Sequence, residues 1–189
     1  MTYNPEFHHR LSIRLKEYDY SQAGAYFVTV CAWNRECLFG EISQGKVNYS
    51  EAGKVVTDVW NKLPERYPSI ELDEFVIMPN HIHGIVILNT TVGAGLALPG
   101  MRHKQKGAAS SAPTLGDIMR TFKSISAVTM NRRLDRTGVP VWQRNYYERI
   151  IRDENELYAI REYIRYNPLK WDEDVDNPLN INHEVKAVR

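Results

Sequence analysis

Two apolar runs separated by only two residues limit this chain's fold more than any other feature. Residues 72–78 and 81–88 are rich in Ile, Val and Leu, and only Pro79-Asn80 lies between them. Parallel strands need a crossover of a dozen or more residues, so strands joined this tightly pair as an antiparallel hairpin. Side chains alternate between faces along an extended strand. His81 and His83 therefore project side by side, while Ile82 points the other way, into a core. Two imidazoles so placed can share one divalent metal. They are only part of a site, and a third donor and a reacting group must come from elsewhere in the chain.

The flanking sequence supplies the remaining elements. Leu11, Ile13 and Leu15 alternate with Ser12, Arg14 and Lys16, the pattern of an extended arm or an edge strand. Residues 26–32 are β-branched and aromatic and read as a strand, and residues 40–49 as a short hairpin or irregular excursion. Ser50 caps a helix whose apolar positions Ala52, Val55, Val56, Val59, Trp60 and Leu63 form one stripe, closed by Pro64 and Pro68. Thr114, with Asp117 three residues on, caps a second helix with a stripe of Leu115, Ile118, Met119, Phe122 and Ile125. A further strand covers residues 146–152. Asp153 then caps a last helix that runs to about Asn167, where Pro168 discourages its continuation.

The order β, α, β, β, α, β, α predicts an α+β fold. Its first six elements make a ferredoxin-like antiparallel sheet with helices packed on one face, and the final helix is an addition. Residues 89–113 break the rhythm with Gly93, Gly95, Gly100 and Gly107 beside Arg102, Lys104 and Lys106. A connection longer than about 15 residues without structure reads as a flexible insertion, either a tolerated loop or a basic flap beside the histidine strand. A single domain is expected over residues 1–171, followed by a polar tail at 172–189.

At 189 residues, 43% hydrophobic and 25% charged, the chain has the composition of a soluble globular domain. No apolar run approaches the roughly 18 residues of a membrane span, and residues 1–6 show no signal-peptide core. Cys31 and Cys37 make neither a disulfide framework nor a CxxC zinc pair, so a cytoplasmic location is expected. A net charge of +1 announces no nucleic-acid partner. The distribution is more suggestive: Arg10, Arg14 and Lys16 cluster near the start, Arg120 and Lys123 lie on the second helix, and Arg132, Arg133 and Arg136 follow. Such clusters bind phosphates or simply present a solvated face.

The last helix carries the strongest partners for the histidines. At about 100° per residue, Leu157, Ile160 and Ile164 define its buried stripe. Tyr163 falls at the border of that stripe, and Asn167 lies about 40° round on the same side. Tyr158 is turned roughly 140° away from Tyr163, and Tyr166 about 60° towards solvent. Tyr163 and Asn167 are thus the pair able to face a site together, unless Tyr163 is simply a packing residue.

With MPNHIHGIVIL, VWQRNYYERIIRDE and EYIRYNPLKW in this order, the chain resembles the REP-associated tyrosine transposases, single-tyrosine (Y1) members of the HUH superfamily. The resemblance runs from about residue 10 to residue 171. It implies a ferredoxin-like core, a metal on His81 and His83, a catalytic tyrosine matching Tyr163, and a third ligand oxygen from Asn167. It further implies attack of the Tyr163 phenolate on single-stranded DNA near hairpins. The products would be a 5′-phosphotyrosine and a free 3′-hydroxyl, and rejoining would need no nucleotide cofactor. Nitrogen donors favour Mn²⁺ and cellular abundance favours Mg²⁺. Arg10, Arg14, Arg120, Lys123 and Arg144 are candidates for phosphate contacts, and Trp142, Tyr146 and Tyr147 for stacking on bases or for packing in the core. Such transposases include dimers that exchange the tyrosine helix, so a homodimer and a monomer are both open. Two other readings share the residues: a phosphoesterase or nuclease using activated water, and a hairpin-binding protein that does not cut.

Overall fold

The computed structural model describes residues 23–89, 113–174 and 176–180. The expected arm at residues 11–16, all of the 89–113 insertion except Asn89 and Pro113, and the end of the chain lie outside them. Strand β1 (Gly24–Cys31) opens the described fold, and the small hairpin β2 (Gly40–Ser43) and β3 (Lys46–Tyr49) follows. Helix α1 (Glu51–Asn61) starts at Ser50, whose side chain accepts from the Gly53 N–H. A single turn, α2 (Leu63–Arg66), contains Pro64 and leads to β4 (Ile70–Ile77) and β5 (His81–Leu88). Helix α3 (Leu115–Arg133) begins with a complete capping box. The Asp117 N–H donates to Thr114 Oγ1 at 3.2 Å, and the Thr114 N–H donates to Asp117 Oδ2 at 3.1 Å. Strand β6 (Tyr147–Ile151) and helix α4 (Glu154–Tyr166) complete the order, and a 3-10 segment, Asn167–Glu173, extends α4.

The main sheet runs β4-β5-β1-β6 and is antiparallel throughout. This is the ferredoxin-like order expected of the β-α-β-β-α-β sequence. Alternation along the strands divides the core in two. Tyr26, Val28, Val30, Ile82, Val86 and Leu88 pack under α1 and α3, around Trp60 and Phe122. Phe27, Val76, Ile85 and Ile151 face the other way and meet Ile164 of α4, with Leu157, Ile160 and Trp171 beside it. The two sequential helices share one face, as the pattern implies, and the additional helix covers the other.

Gly84 is what lets α1 approach β5 so closely. A β-carbon there would lie 2.5 and 2.7 Å from Cζ2 and Cη2 of Trp60. That ring is stacked on Phe75 at 4.6 Å and meets Phe122 edge-on at 5.4 Å, so it has nowhere to retreat. Gly84→Ala is therefore expected to destabilise the fold by about 3 kcal/mol through overpacking. In thermal melts this is a fall of roughly 6–12 °C for a chain of this size. A change under about 1 kcal/mol would show that the Trp60 ring can shift.

Candidate active site

His81 and His83 lie on the α4 face of β5, as strand parity requires, while Ile82 is fully buried on the α1/α3 side. Both rings are almost completely buried. Their Nε2 atoms face each other at 3.0 Å. Each Nδ1 has an oxygen partner, Asn80 Oδ1 at 2.8 Å for His81 and Thr29 Oγ1 at 2.8 Å for His83. The amide of Asn80 donates to the carbonyls of Arg35 and Asp176, which fixes its orientation and leaves Oδ1 to accept. His81 must therefore carry its proton on Nδ1, and Nε2 presents a lone pair. The ring of His83 also stacks on Phe27 at 5.4 Å.

Helix α4 brings Tyr163 and Asn167 to the same place. Tyr163 Oη is 3.3 Å from His83 Nε2, and its ring stands edge-on to Phe27 at 6.0 Å. Nearly half of Tyr163 is exposed. Asn167 follows one turn later at the helix end. It is 4% exposed, and its Oδ1 is buried without a hydrogen-bond partner. A buried carbonyl oxygen left unpaired is unfavourable unless something else satisfies it.

Those features fit a divalent cation. Two facing imidazole nitrogens at 3.0 Å match adjacent ligands of an octahedral shell with bonds of about 2.1 Å, and the orphaned Asn167 oxygen is a third donor. Among the described residues no three His, Cys, Asp or Glu side chains form a metal cage. Two carboxylates stand beside His81, Asp174 with Oδ2 4.0 Å from Nε2 and Asp176 with Oδ2 4.0 Å from Nδ1, and burial raises the pKa of Asp174.

Burial holds both imidazoles in the neutral form that a metal requires. It lowers the His81 pKa to about 4, with Arg35 adding to the effect. It lowers that of His83 well below 6.5, with the neighbouring His81 adding to it. Burial pushes the Tyr163 phenol up, against an opposing hydrogen bond from Asn167. The hydroxyl is therefore protonated at neutral pH until something at the site draws the proton off.

A stability prediction follows from the histidines. Because their folded-state pKa values are lowered, the unfolded chain binds more protons below pH 6.5. Stability is full above that value and falls as the pH drops from 6.5 to about 4. His81 alone contributes about 3 kcal/mol to the loss. Denaturant titrations without divalent cations, at pH 7.5 and stepwise to pH 4, should show the decline. His81→Gln/His83→Gln should flatten it, and an equally steep decline in that variant would place its origin elsewhere.

The expected DNA contacts are scattered by the fold. Arg10 and Arg14 lie outside the described residues. Arg120 is exposed and pairs with Asp117 on α3, across the sheet from the histidines. The Lys123 ammonium donates to the carbonyls of Gln143, Arg144 and Asn145, so it is committed to holding that loop. Arg144 is exposed on the same loop. Trp142 is buried and donates to Ser126 Oγ, and Tyr146 packs against the core. Tyr147 is the exposed aromatic on the histidine face, across from Thr29 and 6.5 Å from Phe27.

Thr29, Asn80, Asp174 and Asp176 are site residues that the sequence pattern does not single out. Asn80 adjoins His81, and its polarity in a tight turn hides its role. Thr29 becomes relevant only through the pairing of β1 with β5, where it sits opposite His83. Asp174 and Asp176 fall in what reads as a polar tail, yet Asp176 pairs with Arg35, and its carbonyl is latched by Asn80 beside the histidines.

No protein-family model matches the chain. A REP-associated tyrosine transposase, solved bound to a REP hairpin, superposes with a TM-score of 0.53 at 19% identity, covering 82% of this chain and 74% of that one. A candidate transposase from Deinococcus radiodurans gives 0.46 at 15% identity, over 80% and 94%. The fold is therefore a transposase-like α+β fold. In sequence, a Haemophilus influenzae protein described as uncharacterized is 44% identical over 173 residues, 91% of this chain and 95% of its own length. The chain belongs to the family of that protein. Among the described residues no helix is long and apolar enough to cross a membrane.

Proposed function

We propose that this protein is a metal-dependent transesterase of the HUH tyrosine transposase type. It cleaves and rejoins single-stranded DNA near hairpins through a 5′-phosphotyrosine on Tyr163. One observation carries the reading: Tyr163 Oη lies 3.3 Å from an imidazole nitrogen that itself faces a second imidazole at 3.0 Å, beside an unpaired Asn167 oxygen. A nucleophile and a donor set converge from one strand and one helix. The hairpin bound to the structurally similar transposase supports the same class of DNA partner.

His81, His83 and Asn167 would hold Mg²⁺ or Mn²⁺, whose charge stabilises the developing negative charge on the scissile phosphate. Asn80 and Thr29 fix the ring orientations from the far side, as partners of metal-binding histidines do. Tyr163 gives up its proton to solvent and attacks phosphorus. The bond from phosphorus to O3′ breaks, and the departing oxygen takes up a proton as the 3′-hydroxyl. The tyrosyl phosphodiester keeps the energy of the original bond, so a second 3′-hydroxyl reverses the step without a nucleotide cofactor. Tyr147, exposed next to Phe27 on the same face, offers a stacking surface for an unpaired base.

The test is incubation with an oligonucleotide that carries a single-stranded flank beside a hairpin, in Mg²⁺ or Mn²⁺. Denaturing electrophoresis and peptide mass spectrometry should find a covalent adduct on Tyr163. Cleavage without any adduct would assign the site to a phosphoesterase using activated water. Binding that needs neither a cation nor His81 and is followed by no cleavage would make the protein a hairpin-binding module.

A further inference from the structure

Asp73 and Glu74 interrupt the apolar pattern of β4, an edge strand of the sheet. In a regular strand these neighbours would point to opposite faces. Here Leu72 pairs with Val86 and Phe75 with Gly84, so two residues of β4, Asp73 and Glu74, stand against one of β5, Ile85. The extra residue is a β-bulge. Leu72 and Phe75 both pack on the α1/α3 side, Phe75 against Trp60, and the two acids between them both turn to α4. The Glu74 N–H donates to Asp73 Oδ1 at 2.7 Å and braces the bulge.

On α4, Arg161 and Arg165 are one turn apart and meet these acids. Arg161 grips both oxygens of Asp73 with its Nε and Nη2, at 2.9 and 2.5 Å. Arg165 places Nε and Nη2 on Glu74 Oε1, at 2.9 and 2.5 Å. The fork on Asp73 is a two-point grip that resists rotation in a way a single contact does not. On the helix the two arginines form one flank, and Tyr163 lies roughly 160° from each of them, about opposite their mean direction. The aliphatic stripe between these flanks is narrow: Ile164 is buried, while Leu157 and Ile160 are only partly so. Such a stripe sets the distance of the helix from the sheet but restrains its roll weakly. A phenol oxygen lies about 8 Å from its helix axis, so a 20° roll moves it about 3 Å.

We propose that the bulge at Asp73-Glu74 and the arginines it captures form a clasp that sets the roll of α4, making Arg161 and Arg165 positioning residues for Tyr163. The proposal rests on the reading of Tyr163 as nucleophile. Misplacement of a reacting atom by an ångström can lower a rate about 100-fold, whereas partly exposed ion pairs contribute little to folding. The clasp is therefore expected to matter for rate rather than for stability.

Asp73→Asn/Glu74→Gln keeps the shape of the bulge and an acceptor for the Glu74 N–H while removing both charges. At saturating DNA and Mn²⁺, adduct formation should slow roughly 10- to 100-fold. The half-saturating DNA concentration and Mn²⁺ affinity should stay at wild-type values, and the melting temperature within about 3 °C. Backbone amides of α4 should exchange faster while those of β5 do not. Arg161→Gln/Arg165→Gln, made from the helix side, should reproduce the result should the first variant fold poorly. A wild-type saturated rate in a folded variant, or a loss confined to half-saturation, would overturn the clasp. Absence of any Tyr163 adduct in the wild type would overturn the nucleophile reading, and this proposal with it.

Discussion

Tyr163→Phe should abolish the covalent protein–DNA adduct and lower cleavage by about four orders of magnitude or more, the scale set by removing a nucleophile. The expectation is sharp because the substitution removes a single atom. Phe at this position keeps the edge-on contacts of the ring with Phe27 at 6.0 Å and with His83 at 5.2 Å. Besides the hydrogen bond from Asn167, the hydroxyl has a long one, 3.3 Å, to His83 Nε2, so no more than about 1–2 kcal/mol of folding energy goes with it. Stability, hairpin binding and cation affinity should stay near wild type. Single-turnover cleavage of an end-labelled hairpin oligonucleotide, with circular dichroism melts alongside, measures both sides of this claim. Cleavage by the variant at even a tenth of the wild-type rate would mean that another group attacks the phosphate.

The second large effect is expected at the donors. His81→Ala and His83→Ala should each weaken Mn²⁺ binding by at least about 100-fold and reduce cleavage by about 10³-fold. Neither ring can be replaced in place by its neighbours. His81 is oriented by Asn80 and His83 by Thr29, and the two Nε2 atoms are already within 3.0 Å. Truncation also strands the buried Asn80 Oδ1 or the partly buried Thr29 Oγ1, so a loss of stability of about 1–3 kcal/mol should accompany it. Electron paramagnetic resonance of Mn²⁺ reads the binding directly and separates it from folding. Hairpin binding without cations should survive, because the rings are buried and offer DNA little surface. Full activity of the wild-type protein in a chelator would defeat the cation reading, whatever the variants do.

The sequence made much of this site legible because its central features are local. Strand parity put His81 and His83 on one face, and helical spacing put Tyr163 and Asn167 on one side. Capping residues fixed where those elements begin: Ser50, Thr114 and Asp153 all accept the hydrogen bonds expected of them. The element order gave the sheet and its antiparallel hairpin, and the two sequential helices fell on one face as the fold class implies. Boundaries moved by a residue or two, as at β4, which starts at Ile70 rather than at 72.

Other contacts at and around the site are ones that no local pattern encodes. Lys123 is a candidate for phosphate contact, and its ammonium also donates to three carbonyls of a loop twenty residues on. Asp174 and Asp176 looked like solvated tail residues until the chain folded back beside His81. The bulge at Asp73-Glu74 is likewise decided by what β5 and Trp60 require on the other face.

By itself, then, the sequence determined which residues can act together within an element, since the periods of strand and helix are properties of a short stretch of backbone. Only the tertiary structure decided which elements meet: that Thr29 stands opposite His83, that Asn80 reaches both His81 and Asp176, and that Asp73 and Glu74 hold the flank of α4 away from Tyr163. Those meetings depend on burying two apolar faces of one sheet at once, a condition on the whole chain that no window of sequence contains.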